Sequence, residues 1–405
     1  MTVIKVVDSI MGSGKTSAAI NLMNKEEDRN FIFITPFLTE VERVKKSVTT
    51  KKFHEPKFYS KGGELYTKFD SLHKLLSNSN NIVSTHALFK RANEETKELI
   101  HGGNYTLILD EVMDVVEQLE IKKDDLKLLF DNELIYVEDG FIKWNEKKMS
   151  YDTRYNDIRD MALNNTLIYF RDTILIWTFP VDVFKAFKEV YILTYLFEAQ
   201  IQKYYYDLYN MKYEKVIAVN ENGEYIFKKD DANTYAQLKA EIKSKITIYD
   251  GNLNDIGDKS FSLSKSWYDD KSQYTIKKVK NNVSNYFKHK IKSNSHEAMW
   301  TTFIKHKGKL SGAGYTKGFV PCTARATNDF RHKKNLAYMI NRYVNPILLG
   351  FMQEKGIKID QDKFAVSELV QWIWRSAIRD NEEINLYIPS KRMRELLNKW
   401  MNNEL

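Results

Sequence analysis

Cysteine is nearly absent from this chain of 405 residues, in which Cys322 is the single example. One thiol excludes a disulfide framework and any zinc or iron–sulfur site built from several cysteines. Long apolar runs are also missing, and no stretch approaches the ~20 residues that a membrane-spanning helix needs. The first residues lack the basic and apolar regions of a signal peptide. We therefore expect a soluble, cytoplasmic protein without a membrane partner.

The charge balance is modestly cationic. Lysine and arginine number 62 and aspartate and glutamate 54, which leaves a net charge of +8. This excess is compatible with a polyanionic partner such as nucleic acid, although many soluble proteins carry as much. Arginine is unevenly spread, because none occurs between Arg171 and Arg325 in a region rich in lysine.

Short apolar strands alternate with amphipathic helices through the first third of the chain. Strand-like runs cover residues 3–7, 31–35, 81–84 and 107–110. This alternation predicts an α/β fold with a parallel sheet that is covered on both faces. A second alternating series begins near residue 209. We predict two lobes, residues 1–208 with an insertion at about 121–170, and residues 209–405.

The second lobe has a less regular pattern. It opens with an expected hairpin, whose strands at residues 215–219 and 225–227 flank the turn Asn222-Gly223. The apolar spacing predicts three further strands and three helices. The strands are expected at residues 246–249, 318–321 and 383–388, and the helices at residues 235–245, 332–343 and 367–379.

A glycine-rich loop joins the first strand to a helix, with the sequence Ser9-Ile10-Met11-Gly12-Ser13-Gly14-Lys15-Thr16. Gly12, Ser13 and Gly14 let backbone N–H groups converge on one anion, and the helix N-terminus adds a favourable dipole. Lys15 supplies a cation for the β- and γ-phosphates, and the Thr16 hydroxyl suits Mg²⁺. The alternative is a plain turn before a helix, because Ser9 stands where the strict pattern has glycine. The loop indicates ATP binding.

Two acidic residues, Asp110 and Glu111, end the apolar strand at residues 107–110. In this position Asp110 would hold the Mg²⁺ shell, and Glu111 would orient and deprotonate the attacking water. Acids commonly flank strands, so this pair indicates a catalytic site only because a phosphate loop lies in the same lobe.

Gln371, Arg375 and Arg379 recur at intervals of four residues in the helix predicted at 367–379. On one helix they would form a polar stripe. The planar guanidinium matches phosphate oxygens, and transition states of ATP hydrolysis are stabilised by such an arginine finger. The alternative is the solvent-facing stripe of an amphipathic helix.

Lysines and aromatic residues are interleaved between residues 264 and 292. This mixture suits a groove for a single strand, in which lysines contact phosphates and rings stack on bases. A solvated lysine-rich face with aromatic residues in the core explains it equally well.

Taken in this order, the motifs resemble motifs I, II and VI of superfamily 2 helicases. The runs Met11-Gly12-Ser13-Gly14-Lys15-Thr16 and Asp110-Glu111-Val112-Met113 look most like the viral branch with the herpesvirus origin-binding helicases. The resemblance implies a phage member with two RecA-like P-loop lobes and ATP and Mg²⁺ in the cleft between them. Lys15, Glu111, Gln371, Arg375 and Arg379 would be catalytic.

Weaker matches fall where the family grips nucleic acid, and they implicate six residues. These are Thr35, Pro36, Thr85, His86, Thr323 and Arg325. The resemblance implies an ATP-dependent helicase or translocase on single-stranded nucleic acid, DNA rather than RNA. Phage DNA replication or recombination in the host cytoplasm is the expected process, with replication proteins as partners. A nucleic-acid-stimulated remodelling ATPase and a packaging-type motor are the alternatives.

Motif VI departs from the family pattern. In the family the second arginine follows the first by three residues, and a glycine precedes the first. In this sequence the interval is four residues, and Trp374 replaces the glycine. Which of Arg375 and Arg379 acts as the finger is therefore open.

Overall fold

The computed structural model describes residues 2–230, 236–323 and 329–405. It forms two compact units. The N-terminal lobe comprises Met1–Ser9, Ser13–Lys229 and Asn345–Ile359. The C-terminal lobe comprises Ile10–Gly12, Asp230–Val344 and Asp360–Leu405. The division falls at residues 229/230 rather than at the expected 208/209, and one later segment joins the first lobe.

The strands are numbered along the described chain. They are β1 (Val3–Asp8), β2 (Asn30–Thr35), β3 (Phe53–His54), β4 (Tyr59–Lys61), β5 (Glu64–Tyr66), β6 (Asn81–Thr85), β7 (Tyr105–Asp110), β8 (Val116–Gln118), β9 (Ile135–Glu138), β10 (Phe141–Trp144), β11 (Leu167–Phe170), β12 (Ile174–Thr178), β13 (Glu189–Thr194), β14 (Glu214–Glu221), β15 (Glu224–Lys229), β16 (Ile246–Ile248), β17 (Ala298–Thr301), β18 (Asn335–Tyr338) and β19 (Ile384–Tyr387).

The α-helices are numbered in the same way. They are α1 (Lys15–Lys25), α2 (Leu38–Ser47), α3 (Lys68–Ser77), α4 (His86–Phe89), α5 (Glu94–Gly102), α6 (Lys123–Asp131), α7 (Asn156–Leu163), α8 (Val181–Lys185), α9 (Ile201–Leu208), α10 (Ala236–Ser244), α11 (Lys265–Asp270), α12 (Gln273–Asn285), α13 (Lys307–Leu310), α14 (Pro346–Glu354), α15 (Gln361–Ile373) and α16 (Lys391–Met401). Within the described residues, no helix combines the length and apolar character needed to cross a bilayer.

The main sheet of the N-terminal lobe has the strand order β15-β14-β1-β13-β7-β2-β6-β3. Its pairs are parallel except for β14 and β15, which are antiparallel. All six residues of β7 are buried, as expected for a parallel strand covered on both faces. Because parallel strands end at the same edge, the residues that follow β1, β7, β2 and β6 share one edge. We call this the carboxyl edge.

A separate antiparallel sheet, β8-β12-β11-β10-β9, lies between β7 and β13 in the chain. It contains the expected insertion and the Asp139-Gly140 hairpin turn, at which both residues have positive φ. Helix α14 belongs to the same lobe, where Phe351 meets Phe170 edge-on at 5.6 Å between centroids. An ion pair of 2.6 Å between Arg171 and Glu354 adds to this packing.

The C-terminal lobe has a parallel sheet in the order β16-β19-β18-β17. Strand β19 confirms the strand expected at residues 383–388. The helix expected at 332–343 is wrong, because β18 occupies 335–338 and all four of its residues are buried. A fully buried strand has no alternation, so its apolar run can be mistaken for part of a helix. The strand expected at 318–321 is reduced to one bridge, between Trp300 and Phe319.

Candidate nucleotide-binding site

The phosphate loop runs from the end of β1 to the start of α1. Gly12 and Gly14 have φ angles of +82° and +87°, in the left-handed region that favours glycine. Gly14 is also the residue that precedes α1, and among the described residues no side chain caps this helix. The first N–H groups of α1 therefore point at the loop, which is the arrangement that binds anions.

Gly14 also lies against Tyr225 of β15. A Cβ atom built at Gly14 would come within 2.2 Å of two ring carbons of Tyr225. The main chain next to Tyr225 is held by α1, since Asn21 Nδ2 donates to the Tyr225 carbonyl at 3.0 Å. Tyr225 therefore limits the space behind the loop, a role that the sequence pattern does not reveal.

We predict that Gly14→Ala weakens ATP binding at least tenfold, about 1.4 kcal/mol. The new methyl group must displace the loop or the Tyr225 ring, and the left-handed backbone adds strain. Isothermal calorimetry with a non-hydrolysable ATP analogue measures the loss. Gly223→Ala is the matched control, because φ is +88° there and nothing lies within 4 Å of its Cβ. Equal affinities for the two variants would contradict the prediction.

Lys15 and Ser9 close the loop on itself. Lys15 Nζ donates to the Ser9 carbonyl oxygen at 2.6 Å, and Lys15 is buried. Ser9 in turn bonds to both neighbouring strands, since its N–H donates to Thr194 and its Oγ accepts the Ala218 N–H at 2.8 Å. A glycine could not provide this hydroxyl acceptor. The departure from the strict motif at Ser9 therefore has a structural reason.

Ser13 presents a buried hydroxyl to the loop. Among the described residues, its Oγ atom has no hydrogen-bond partner. Buried polar atoms in native proteins are nearly always paired, and an unpaired one calls for an explanation such as a bound ligand. A loop that closes around an anion would provide the missing partner.

Asp110 is buried at the end of β7 and accepts two hydroxyl groups. Thr16 donates to Oδ1 at 3.4 Å, and Thr35 donates to Oδ2 at 3.2 Å. Burial, together with the negative charges of Glu111 and Glu40, raises the pKa of Asp110 to about 7. A cation bound beside the carboxylate would favour its charged form and lower that pKa.

The donor set at Thr16 and Asp110 consists of a hydroxyl and a carboxylate, the hard oxygen ligands that Mg²⁺ prefers. Across residues 2–230, 236–323 and 329–405, no group of three or more His, Cys, Asp or Glu side chains is placed to hold a metal ion. The two residues fit Mg²⁺ as partial ligands.

Glu111 follows Asp110 with a φ angle of +65°, which is rare for a residue with a side chain. Its N–H donates to the Leu193 carbonyl at 2.9 Å, which ties the strained residue to β13. Strain of ~1–3 kcal/mol is commonly held at functional sites. The constrained backbone thus limits the directions that the half-buried Glu111 side chain can take.

Two functional candidates at this edge have no sequence motif. Gln202 is buried on α9, and its Oε1 accepts the N–H of Met113, in the segment after the acids, at 3.1 Å. Asp8 ends β1 and accepts the N–H groups of Leu196 at 2.7 Å and Phe197 at 3.1 Å. Burial raises the pKa of Asp8, while these bonds oppose the shift. Both residues connect the nucleotide loops to distant main chain. Asp8 had one weak signal in the sequence, its position at the end of a strand, whereas Gln202 had none.

Two residues that the resemblance assigned to nucleic acid contact Asp110 in the structure. Thr35 is fully buried, and its hydroxyl is bonded to the Asp110 carboxylate. A ring nitrogen of His86 lies 3.0 Å from the Asp110 carbonyl oxygen. Both side chains support the acidic strand end, and Thr35 is not accessible to a strand.

The other residues of that set lie elsewhere. Pro36 and Thr85 are half-buried at the carboxyl edge, where β2 and β6 end. Thr323 is exposed in the C-terminal lobe. Arg325 lies outside the described residues.

The arginine stripe of the C-terminal lobe is not continuous. Helix α15 includes Gln371 but ends at Ile373, so the helix expected to run to residue 379 was wrong at its end. Just beyond the helix, the Ser376 hydroxyl donates to the Ile373 carbonyl at 2.7 Å. Arg375 is buried, with Nη1 3.4 Å from the Cys322 carbonyl oxygen, whereas Arg379 is half-buried in the turn at 377–380.

The lysine-rich segment divides by burial. Tyr268, Tyr286 and Phe287 belong to the hydrophobic core of the C-terminal lobe. Its lysines are mainly exposed on α11, α12 and the π-helical turn that follows them. Core packing therefore accounts for these three aromatic residues, whereas Tyr274 is 79% exposed.

Comparison with solved structures identifies the fold. A structure described as an XPD helicase aligns with a TM-score of 0.55 at 11% identity, over 100% of this chain and 95% of that chain. A structure described as apo XPD aligns with a TM-score of 0.53 at 12% identity, over 100% and 96%. The chain thus shares the two-lobed α/β fold of these structures, with two RecA-like lobes, which confirms the predicted fold class. The herpesvirus branch remains a prediction.

Sequence comparison defines the family. Residues 240–401 match the YonV C-terminal Rossmann-like domain, and residues 116–177 match the YonV middle domain. The SPbeta prophage-derived protein YonV of Bacillus subtilis (strain 168) is 50% identical over 407 residues, which cover 99% of both chains. The chain belongs to the YonV family. Its middle domain corresponds to the antiparallel sheet β8–β12.

Proposed function

We propose that this protein is an ATP-dependent nucleic-acid helicase or translocase. The observation that carries the proposal is the Thr16 hydroxyl next to the buried Asp110 carboxylate, at the phosphate loop of a helicase fold. A hydroxyl at a helix start and an acid at a strand end are the paired supports of Mg²⁺ in P-loop ATPases. Because the related protein is prophage-derived, we place this activity in phage DNA replication or recombination as part of the proposal.

ATP binding falls to the loop and to α1. The N–H groups of the loop and of the first turn of α1 would bind the phosphates, and Lys15 would exchange the Ser9 carbonyl for β- and γ-phosphate oxygens. The Ser13 hydroxyl would gain a partner in the same step. The loop therefore changes partners on binding without a change of fold.

A bound Mg²⁺ would supply positive charge to stabilise the negative charge that develops on the transferred phosphate. Thr16 and Asp110 would hold it, and Thr35 would keep the Asp110 carboxylate in position through its hydroxyl. Glu111 would accept a proton from the attacking water. Arg379 is proposed to act from the C-terminal lobe as the finger, with Gln371 and Arg375 in supporting roles.

Nucleic acid is the proposed partner of both lobes. Pro36 and Thr85 at the carboxyl edge and Thr323 and Arg325 in the C-terminal lobe are the proposed contacts. Single-stranded DNA, rather than RNA, is the proposed strand, and phage replication proteins are the proposed assembly partners. Repeated binding and release, driven by ATP, would move a strand past the lobes.

A strand-displacement assay tests the proposal. We expect the wild-type protein to release a labelled strand from a tailed duplex with ATP and Mg²⁺, and not with a non-hydrolysable analogue. ATPase rates with single-stranded DNA, single-stranded RNA and blunt duplex DNA provide the comparison. Stimulation by single strands without displacement would favour a remodelling ATPase. Stimulation by duplex DNA alone would favour a packaging-type motor.

A further inference from the structure

A two-stranded hairpin projects from the N-terminal lobe between β3 and α3. Strands β4 and β5 pair only with each other in the described residues, and Gly62 and Gly63 form the turn with φ of +62° and +86°. An isolated hairpin has little stability of its own. Its place in the structure therefore depends on contacts with the rest of the lobe.

One face of the hairpin is anchored to α3. Tyr59 and Tyr66 are directly opposite and stack at 4.6 Å, with Lys74 Nζ of α3 4.5 Å from the Tyr59 ring centroid. The chain next to the strands is held as well, because the Lys57 N–H donates to Ser71 Oγ at 3.2 Å. Thr67 begins α3 with a complete capping box. The chain is thus held both before and after the hairpin.

The other face is open. Leu65, opposite Ser60, is 87% exposed, and Phe58 just before β4 is 71% exposed. Directly opposite residues share a face, so Leu65 lies on the face away from the tyrosine pair. A leucine and a phenylalanine this exposed, a few residues apart, are typical of a contact surface.

The charges around these two residues favour a polyanion. Three exposed lysines flank them, one more than the two nearby carboxylates of Glu64 and Asp70. The lysines are Lys57, Lys61 and Lys68. Glu64 accepts the Tyr66 hydroxyl at 2.9 Å, and hydrogen bonds from Thr67 lower the pKa of Asp70. Lys68 Nζ also lies 5.9 Å from the Phe58 ring centroid.

The position in the sheet points the same way. Strand β3 pairs in parallel with β6 at the end of the sheet, so the chain leaves β3 at the carboxyl edge. Along the order β7-β2-β6-β3, this edge carries Asp110, then Pro36, then Thr85, and then the hairpin. The hairpin therefore continues the row of loops proposed to contact nucleic acid.

We propose that Phe58 and Leu65 form a binding surface for the unpaired bases of a nucleic-acid strand, with Phe58 stacking on a base. The inference rests on the proposed function and adds a base-contacting site that the helicase motifs do not include. Stacking on an aromatic ring tolerates any base, as a translocating protein requires. The flanking lysines would hold the phosphates on either side.

Fluorescence anisotropy with labelled single-stranded DNA and RNA of mixed sequence tests this surface. The double variant Phe58→Ala, Leu65→Ser should bind the strand about tenfold more weakly. Phe58→Trp should retain affinity and Phe58→Leu should not, because stacking needs a ring. The slope of log Kd against log salt should match the wild type, since no phosphate contact is lost.

Phe261→Ala, Ile304→Ser is the matched control, with two apolar residues of the C-terminal lobe that are 67% and 70% exposed. It should bind the strand like the wild type, and all variants should share the wild-type melting temperature. Wild-type affinity in the hairpin variant would overturn the inference and leave the proposed function intact. So would a loss of self-association in sedimentation without a loss of strand binding. A wild-type protein that binds no strand would overturn both proposals.

Discussion

Glu111→Gln should lower ATP turnover by about 10²–10⁴-fold and leave the affinity for ATP nearly unchanged. The amide has the size of the carboxylate but cannot accept a proton from water. Because the strained φ of +65° and the N–H bond to Leu193 direct this side chain, the glutamine should occupy the same place. Single-turnover hydrolysis and equilibrium binding of a labelled nucleotide measure the two quantities separately.

Two further variants make the result specific. Lys15→Ala should lose ATP affinity as well as turnover, because the cation contacts bound phosphate in the ground state. Glu40→Gln removes another carboxylate whose charge acts on Asp110, without removing the proposed base, and should keep turnover within a few-fold of the wild type. Near wild-type hydrolysis by Glu111→Gln would show that another group activates the water.

The fold of the first lobe could be predicted where the information is local. Strands β1, β2, β6 and β7 are apolar runs bounded by polar residues, and the phosphate loop marks the start of α1. Sheet partners are set by contacts between distant residues, which local patterns do not report. For this reason the hairpin β14–β15 was expected in the second lobe, although β14 pairs with β1.

The same distinction applies to the site. Short sequence motifs identify Lys15, Thr16 and Asp110 and the chemistry they can perform. The structure brings Thr16 and Asp110 together. Gln202 and Tyr225 have no such motif, because they act on main chain far away in sequence. The burial of a polar residue is also absent from a local pattern, since Thr35 has a suitable hydroxyl but is enclosed in the sheet.

The C-terminal lobe shows how a periodic pattern can mislead. Gln371, Arg375 and Arg379 have helical spacing, but the helix ends at Ile373. Extended backbone at Ser376 and the bond from the Ala377 N–H to the Lys333 carbonyl at 2.9 Å redirect the chain. The two arginines therefore sit in different environments, although their spacing suggested equivalent ones.

Arg379→Ala should reduce ATP turnover by about 10³-fold or more, with little change in ATP affinity. An arginine finger stabilises charge that develops only in the transition state. Arg379 is half-buried in a turn, where a side chain can be directed toward a substrate. Arg379→Lys should rescue poorly, because an ammonium group does not reproduce the planar donor fork.

Arg375→Ala serves as the contrast and should act mainly on stability. Arg375 is 6% exposed and lies near the Cys322 carbonyl, so its loss leaves buried polar groups unpaired at a cost of about 1–3 kcal/mol. Its melting temperature should fall while turnover per folded molecule changes much less than in Arg379→Ala. Turnover, nucleotide affinity and melting temperature measured side by side decide between the two. If Arg375→Ala abolishes turnover in a stable protein and Arg379→Ala does not, Arg375 is the finger. If both variants hydrolyse ATP normally, neither arginine is the finger.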